Sequence, residues 1–520
     1  MARGGDRVTG ASAHRVPVLI AGGGPVGLAA ALELAHHGVP SLVVEPREEV
    51  SWLRPRAKTT SARTMELFRR LGLAGAVRER AALPVAWSDQ AVFTTGLLGR
   101  EITRFHGCFG LDLAGDDLVA EPGQQIPQPA VEQVLREAVA RSRHARLVTG
   151  RTVRTVHEDD DGVTATVTAP DGTADRIRAA YLIGADGAWS TVREAIGVAY
   201  EGAADERPNF NIVFRAPGLA ERVPHGPAVH YWVLHPSRPG LVGRLDLRDT
   251  WWCIAQGVTQ EEGEADPLAL VRGLVGADID AEIVATDPWK AKMLLATAYG
   301  TRRIFLAGDA AHLNPPWGGH GFNTGVGDAV NLGWKLAAVL SGWAPETLLR
   351  SYEHERRPVA ARTIAEAARN MATLAPELAD PRLAGTDAEF AAARPAVAEA
   401  VQRTKHGEFH SLDLVLGYTY QGSPIVAGDA GGRLPHRWLA PGDSLYDRLG
   451  RGFTLIAGPS ATGAPAFAKA AADHGVPLEI VGDPQAAGLR LVRPDQHVAW
   501  TGDDPASAPE ILRRAVGHLD

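Results

Sequence analysis

Three short segments of this sequence carry the residue types from which chemistry can be built. Gly22, Gly24 and Gly27 keep the spacing G-x-G-x-x-G, with Pro25 and Val26 between the last two. Glycines so placed let the backbone approach a pyrophosphate, and the positive end of a following helix favours an anion there. Glu45 lies 18 residues beyond Gly27, where a carboxylate accepts from a ribose 2′-hydroxyl and disfavours a 2′-phosphate. The other two segments place an Asp beside a Gly, as Asp186-Gly187 and as Gly308-Asp309. Each follows an apolar strand, and ligands of open α/β sheets lie at the carboxyl ends of such strands. One such loop reads as a turn; two of them after a G-x-G-x-x-G are hard to explain as turns.

These segments need a frame. Val16–Ala21 is short and apolar enough for a buried strand, Leu28–His37 has helical spacing and stops at Gly38, and a second strand, Ser41–Val44, runs into Glu45. That is a βαβ unit. The stretch before it, Met1–Arg15, reads as a disordered polar lead-in without the apolar core of a signal peptide. Gln128–Ala140 is predicted as an amphipathic helix, and Val153–Ile183 as a small β-meander with turns at Asp159–Gly162 and Pro170–Gly172. Asn211–Arg215, Ala228–Leu234, Leu241–Leu247 and Trp251–Val258 predict an antiparallel sheet. A strand at Arg303–Ala307 leads through a Gly/Pro-rich loop into a helix from about Asn323 to Leu340, and Ala/Glu/Arg-rich helices follow to about Arg403. Gly432–Asp520 is long enough for a small α/β domain.

Composition narrows the function classes. At 520 residues with 45% hydrophobic content, the chain has length for two to four domains of the usual size. Its 53 Lys and Arg against 61 Asp and Glu give a net charge of −8, with interspersed signs, which argues against binding nucleic acid. No apolar run reaches the roughly 18 residues of a membrane span. Cys108 and Cys253 are the only two cysteines and form no C-x-x-C, so the expectation is a cytoplasmic protein without disulfide framework. No metal site is expected, because His312 and His320 lack a ligand set.

With these motifs in place, the sequence resembles the single-component FAD-dependent aromatic hydroxylases, of which p-hydroxybenzoate hydroxylase is the archetype. Besides the three loops, the resemblance rests on Pro55-Arg56-Ala57, Arg63-Thr64-Met65-Glu66, the run from Asn314 to Gly325, Asp328, Asn331, Trp334-Lys335-Leu336 and Tyr352-x-x-Glu355-Arg356-Arg357-Pro358. It implies an α/β fold: a discontinuous Rossmann-like FAD-binding domain (14–195 and 290–403), an antiparallel-sheet substrate domain (82–120 and 196–289) and a C-terminal thioredoxin-like domain (404–520). The implied cofactor is FAD, bound by Gly22, Gly24, Pro25, Val26, Gly27, Glu45, Pro46, Arg47, Arg56, Gln128, Asp186, Gly308, Asp309, Pro316, Gly319, Gly321, Phe322 and Asn323. Within this set Glu45 would hold the ribose, Asp309 the ribityl chain or pyrophosphate, and Asp186 the Gly308-Asp309 loop and the NAD(P)H-facing side.

The activity implied is NAD(P)H- and O2-dependent hydroxylation of a phenolic or polyketide-type aromatic through a flavin hydroperoxide, within secondary metabolism. Pro316, His320 and Arg56 are the catalytic candidates. Backbone N–H groups at the start of the helix near Asn323 would stabilise negative charge on the reduced flavin. His320 has two readings, tuning protonation or a loop hydrogen bond. His230, Trp232, Trp252 and Trp317 are the candidates for substrate contact. Alternation puts Ala228, His230, Trp232 and Leu234 on one face and Val229, Tyr231 and Val233 on the other, and both faces stay open.

Downstream, Arg433–His436, Ser444–Asp447, Phe453–Leu455 and Arg493–Trp500 resemble the thioredoxin-like domain of the larger phenol and polyketide hydroxylases. Without a cysteine beyond Cys253 it has no disulfide exchange, which leaves a structural or oligomerisation role. The rival readings are a non-oxygenating flavin dehydrogenase, a flavin-binding regulatory module and a halogenase; Trp251-Trp252-Cys253-Ile254-Ala255 does not satisfy the halogenase signature W-x-W-x-I-P.

Overall fold

The structure is a computed structural model that describes residues 14–373 and 375–518. The expected polar lead-in lies outside the described residues as far as Ala13; His14 and Arg15 already belong to the first strand, His14–Ala21. That strand is the third of a seven-stranded sheet ordered Ala145–Thr149, Ser41–Glu45, His14–Ala21, Ala174–Gly184, Gly162–Thr168 and Thr152–Asp159, with Ile304–Leu306 also paired to Ala174–Gly184. Four of its pairings are parallel, so both faces must be covered, and Val18–Ala21, Val43–Val44, Tyr181–Ile183 and Ile304–Leu306 are buried without a break. The meander expected at 153–183 extends this sheet, and its last strand pairs parallel with the first strand of the chain.

Register decides the site. Ala21 stands beside Gly184, and Gly184 beside Leu306, so the three glycine loops leave the same edge of the sheet side by side. Helix Pro25–His36 starts with Pro at its first turn, and the chain leaves it through Gly38 at φ +77°.

The second sheet has eight strands in the order His312–Leu313, Glu282–Ala296, Tyr200–Arg215, Thr250–Gln256, Gly240–Arg244, His230–Val233, Ala91–Thr94 and Glu101–Phe105. All pairs are antiparallel except His230–Val233 with Ala91–Thr94. Tyr200–Arg215 runs 16 residues, far beyond the expected 211–215, and Glu282–Ala296 was not expected as a strand. Both carry polar, partly exposed stretches and a register shift between Ala204 and Pro208, which hide the alternation that marks a strand.

The helix expected from Asn323 begins at Gly321 and runs to Leu340, and it is apolar almost all round because two cores share it. Val326, Ala329, Val330 and Leu336 pack on the first sheet, whereas Trp334 and Ala338 pack with Phe453, Leu455, Phe467 and Trp500 of the C-terminal region. That region forms a four-stranded sheet ordered Leu478–Gly482, Phe453–Ala457, Leu489–Val492 and Val498–Gly502, with the first pair parallel and the others antiparallel. With helices Ala464–His474 and Ala508–Ala515 this is the βαβ plus ββα topology of a thioredoxin-like core. The boundary expected at 404 falls inside helix Asp387–Phe409, whose Val397, Val401 and Phe409 pack against the second sheet.

Candidate active site

Steric demands on the first loop differ glycine by glycine. A Cβ on Gly22 would lie 2.3 Å from the carbonyl oxygen of Ala185, and one on Gly27 only 2.0 Å from that of Gly22. These two glycines close the turn and press the helix onto the strand. A Cβ on Gly24 would meet nothing within 4 Å, so this position is open on its outer side, as backbone approach by a pyrophosphate requires. Pro25 is buried and fixes the first helical turn. Val26 leans on the third loop, since Cβ atoms on Gly308 and Gly325 would come within 2.9 and 2.6 Å of its methyl groups.

Glu45 is buried, with Oε2 accepting the Gly23 N–H at 2.7 Å and Oε1 accepting the Arg47 Nε–H at 2.7 Å. Arg47 also reaches Glu132 at 3.0 Å. The carboxylate thus sits at the tip of the second strand with its orientation fixed by the loop it faces. Pro46 beside it is exposed. Gln128 opens helix Gln128–Arg141, and its N–H donates to the Ala57 carbonyl at 2.9 Å, which ties it to the segment carrying Arg56.

Asp186 does not hold the third loop directly, which corrects the expectation. Its carboxylate accepts from the Ser190 hydroxyl and from the Val192 N–H at 3.1 Å, closing its own loop, while burial raises its pKa. The link to Asp309 is indirect: Arg193 lies 3.9 Å over the Tyr200 ring, and the Tyr200 hydroxyl donates to the Asp309 carbonyl. The residue that holds the third loop is Asp328, fully buried in the Gly321–Leu340 helix. Its carboxylate accepts the Gly308 N–H at 3.1 Å, faces His312 Nε2 at 2.7 Å and accepts from Arg356 Nε at 2.8 Å. Burial opposes its ionisation, but His312 and Arg356 hold the pKa below the ordinary value. Asp309 itself stays partly exposed, 3.8 Å from Arg56, which adopts a left-handed backbone at φ +44°.

The loop from Pro315 delivers the helix start to this edge. Gly318 and Gly319 take φ +98° and +69°, and Gly319 donates to the carbonyl of the exposed Pro316 at 3.0 Å. Asn323 clamps the loop to the Thr59–Ser61 segment: its Nδ2 donates to Gly319 O at 2.8 Å and Thr59 O at 3.2 Å, and its Oδ1 accepts Ser61 N–H at 2.9 Å. The backbone N–H groups of Gly321, Phe322 and Asn323 belong to the first turn and have no intrahelical acceptor. These open glycine and helix-start positions fit FAD.

His320 is buried beside this loop. Its ring folds under Gly318, Nε2 has no partner among the described residues, and burial lowers its pKa to about 4, so it is neutral at neutral pH. It lines a cavity with Arg63, Thr363 and Tyr418, toward the C-terminal region.

On the second sheet, the face is now defined. His230, Trp232, Leu234, Leu241, Trp252 and Ile254 share a face with Trp289, and Trp317 of the third loop packs on it with its ring 5.6 Å from Trp289. Tyr231, Val233, Trp251 and Cys253 point to the other side, against helix Pro267–Val275. Ala228 belongs with that second group, because it precedes the strand and alternation does not extend to it. Trp232 is a packing residue, fully buried with Phe93 stacked at 5.6 Å and Lys405 Nζ at 4.3 Å. His230 is covered by Phe109 and Phe409, and burial together with Lys58 and Lys405 lowers its pKa to about 3. A cleft opens between Leu53–Lys58 and the strands carrying Asn211, Trp252 and Asp287. Sequence reasoning missed Lys58, which lines this cleft; its only signal was its place two residues after Arg56.

Residues 15–367 match the model of an FAD binding domain, and residues 427–519 that of an aromatic-ring hydroxylase C-terminal domain. The chain is 34% identical to a 4-methyl-5-nitrocatechol 5-monooxygenase of Burkholderia sp., over 95% of each chain. It is also 34% identical to the tetracenomycin A2 monooxygenase-dioxygenase of Streptomyces glaucescens, over 98% of this chain and 97% of the other. Among solved structures, the rebeccamycin biosynthetic enzyme RebC with reduced flavin superposes with a TM-score of 0.90 at 36% identity, covering 97% of this chain and all of that one. An aklavinone-11 hydroxylase in complex with FAD and aklavinone gives 0.83 at 29% identity, covering 97% and 99%.

Proposed function

The chain belongs to the FAD-dependent aromatic-ring hydroxylases, and from that premise we propose that it hydroxylates a flat, phenol-bearing polycyclic aromatic of the polyketide type, with NAD(P)H and O2 as co-substrates. The relatives named above act on a nitrocatechol and on polycyclic aromatics, and none supports a non-oxygenating dehydrogenase. Bound FAD supplies the electron transfer from NAD(P)H and the delivery of one oxygen atom of O2 to the ring, the other leaving as water.

The chain's own residues bind, orient and exclude. The Gly22–Gly27 turn and the following helix start would take the pyrophosphate, with Glu45 toward the ribose and Asp309 toward the ribityl side. The N–H groups of Phe322 and Asn323 would face the pyrimidine edge and stabilise negative charge there. Pro316 would flank the reacting centre through its backbone, and Arg56 would lie beside Asp309 at its mouth. Trp252, Trp317 and His230 would hold the substrate ring and keep water out, so that reducing equivalents are not lost. The observation that carries this reading is the indole-lined face of the second sheet meeting the third cofactor loop through Trp317 and Trp289. The two buried free cysteines support a cytoplasmic site of action. Among the described residues no helix is long and apolar enough to cross a membrane.

The test is a purified, yellow holoprotein assayed for NAD(P)H oxidation against simple phenols and hydroxylated polycyclic aromatics under 18O2. The expected result is faster oxidation with one labelled oxygen in the product, strongest for polycyclic phenols. A preparation that takes up no FAD, or one that oxidises NAD(P)H without inserting oxygen into any of them, overturns the reading.

A further inference from the structure

We propose that Lys58 is the anion receptor of the substrate pocket: its ammonium, seated on the face of Trp252, takes the ionised oxygen of a phenol or carboxylic acid on the aromatic substrate. The proposal rests on the hydroxylase reading above and assigns the polar end of the ligand. The backbone around Lys58 is pinned, since the Lys58 carbonyl accepts Ile126 N–H at 2.8 Å and the Ala57 carbonyl accepts Gln128 N–H at 2.9 Å. From there Nζ reaches 4.1 Å from the Trp252 ring centroid. Trp252 lies over Gly243, where a Cβ would come within 2.7 Å of the indole. The sheet thus provides a glycine on which the indole rests, the indole provides a face for the cation, and the cleft opens beside both.

What is missing is a counter-ion. The charged and titratable groups around Lys58 are Arg54 and Arg56 on its own segment, Asp287 on Glu282–Ala296, His230 on the Trp252 face of the sheet, and Cys253, whose side chain lies on the other face. Asp287 is taken by Arg54 at 3.1 Å, Asp309 lies toward Arg56, and burial pushes the Cys253 thiol far up so that it stays neutral. Asn211, also in the cleft, already accepts from the Trp289 indole at 2.9 Å. Beyond its contact with the Trp252 ring, the Lys58 ammonium makes no hydrogen bond or ion pair with any described residue. It keeps partial solvent contact, yet desolvation at the ammonium brings its pKa down to about 8. An ammonium held in a largely desolvated pocket without a carboxylate is a cost that a ligand's negative oxygen offsets. The buried Trp317 Nε1 and His230 Nε2, on the same face of the sheet as Trp252, are also without partners among the described residues. A phenol bound here releases its proton to solvent and stays as phenolate, which makes the ring richer in electrons at the carbon to be oxygenated.

The test uses FAD-loaded full-length protein and alizarin, a planar dihydroxyanthraquinone whose ionisation changes its visible spectrum. Wild type is expected to bind alizarin as the phenolate and to move its ionisation to lower pH by about one unit, the effect of a neighbouring cation. Lys58→Met, which keeps the stem and removes the charge, should weaken binding roughly tenfold and abolish the shift, the loss expected for one charge-assisted hydrogen bond. Lys58→Arg should restore much of both. Equal affinity and equal ionisation shift in wild type and Lys58→Met overturn the proposal, as does a wild type that binds no phenolate. A Lys58→Met protein whose flavin spectrum changes while alizarin ionises as before also overturns it, because the counter-ion is then the cofactor. Where oxygen insertion into phenols proceeds in wild type but alizarin does not discriminate the variants, only the Lys58 assignment falls; absent flavin binding or oxygen insertion, the hydroxylase reading falls.

Discussion

Glu355 is the carboxylate on which the C-terminal region is docked, and its removal should be costly. It accepts from Arg493 at 2.6 and 2.8 Å, from Lys335 at 2.6 Å, from Asn331 at 2.7 Å and from Ser423 at 2.7 Å, all buried. Burial alone would raise its pKa, but Arg493 and Lys335 outweigh it and bring the group from 4.5 down to about 2. A depression of that size corresponds to about 3 kcal/mol of stability, present above about pH 4.5 and lost as pH falls toward 2. An independent route gives the same scale: breaking a buried ion pair by removing one partner costs roughly 3–5 kcal/mol, because Lys335 is left buried without a carboxylate. Glu355→Ala should therefore lose about 3 kcal/mol or more at neutral pH. Scanning calorimetry reads it. With an unfolding entropy of about 2.1 cal/mol/K per residue, one cooperative transition of 520 residues should fall by about 3 °C. If 427–519 melts as its own unit, that transition should fall by about 15 °C. The double replacement Lys335→Met with Glu355→Leu should recover part of the loss, since no charge is then stranded. A Glu355→Ala protein within about 1 kcal/mol of wild type, or a double variant worse than the sum of the singles, would refute the reasoning.

Other perturbations separate cofactor binding from folding. Gly24→Val should fold normally but lose FAD retention, because its side chain would fill the open side of the loop; Gly27→Ala, with its Cβ 2.0 Å from a carbonyl oxygen, should instead reduce the yield of folded protein. Flavin occupancy after gel filtration distinguishes the two. Asp309→Ala should fold and lose most of its flavin, and unchanged occupancy would reject its assigned role. Asp328→Asn removes the charge that holds Gly308, His312 and Arg356 together and should cost roughly 3 kcal/mol in denaturant unfolding; a loss below about 1 kcal/mol would reject that role. For a phenolic substrate, kcat/KM should decline above about pH 8 as the Lys58 ammonium loses its proton, and Lys58→Met should lack that limb.

Much of the cofactor side was legible in the sequence because its signals are local. A tight turn, a close helix–strand approach and a helix start each impose a steric rule on one or two neighbouring residues, so Gly22, Gly27 and the apolar strands around them announce themselves without reference to the rest of the chain. The same locality explains the errors. Asp186 sits in a motif that looks like the holder of the third loop, but its carboxylate is consumed within six residues, and Asp328, 20 residues beyond Gly308, does the holding. The long strands Tyr200–Arg215 and Glu282–Ala296 were hidden because their exposed ribbons carry Glu, Asp, Lys and Pro, whose pattern has no period of two.

The sequence by itself determined the fold class, the cofactor loops and the absence of cysteines from the C-terminal region. Tertiary structure alone decided which face of the second sheet meets the cofactor loops, since alternation sends Trp251 and Trp252 to opposite sides and gives both faces aromatic residues. It also turned Trp334, Lys335 and Glu355, which read as parts of a family motif, into the seat of the C-terminal region through Arg493 and Asp495, more than 130 residues away. Pairing across such distances is set by which charged groups are buried together. No local rule encodes that, because the desolvation that makes those charges matter exists only once the two layers have closed over them.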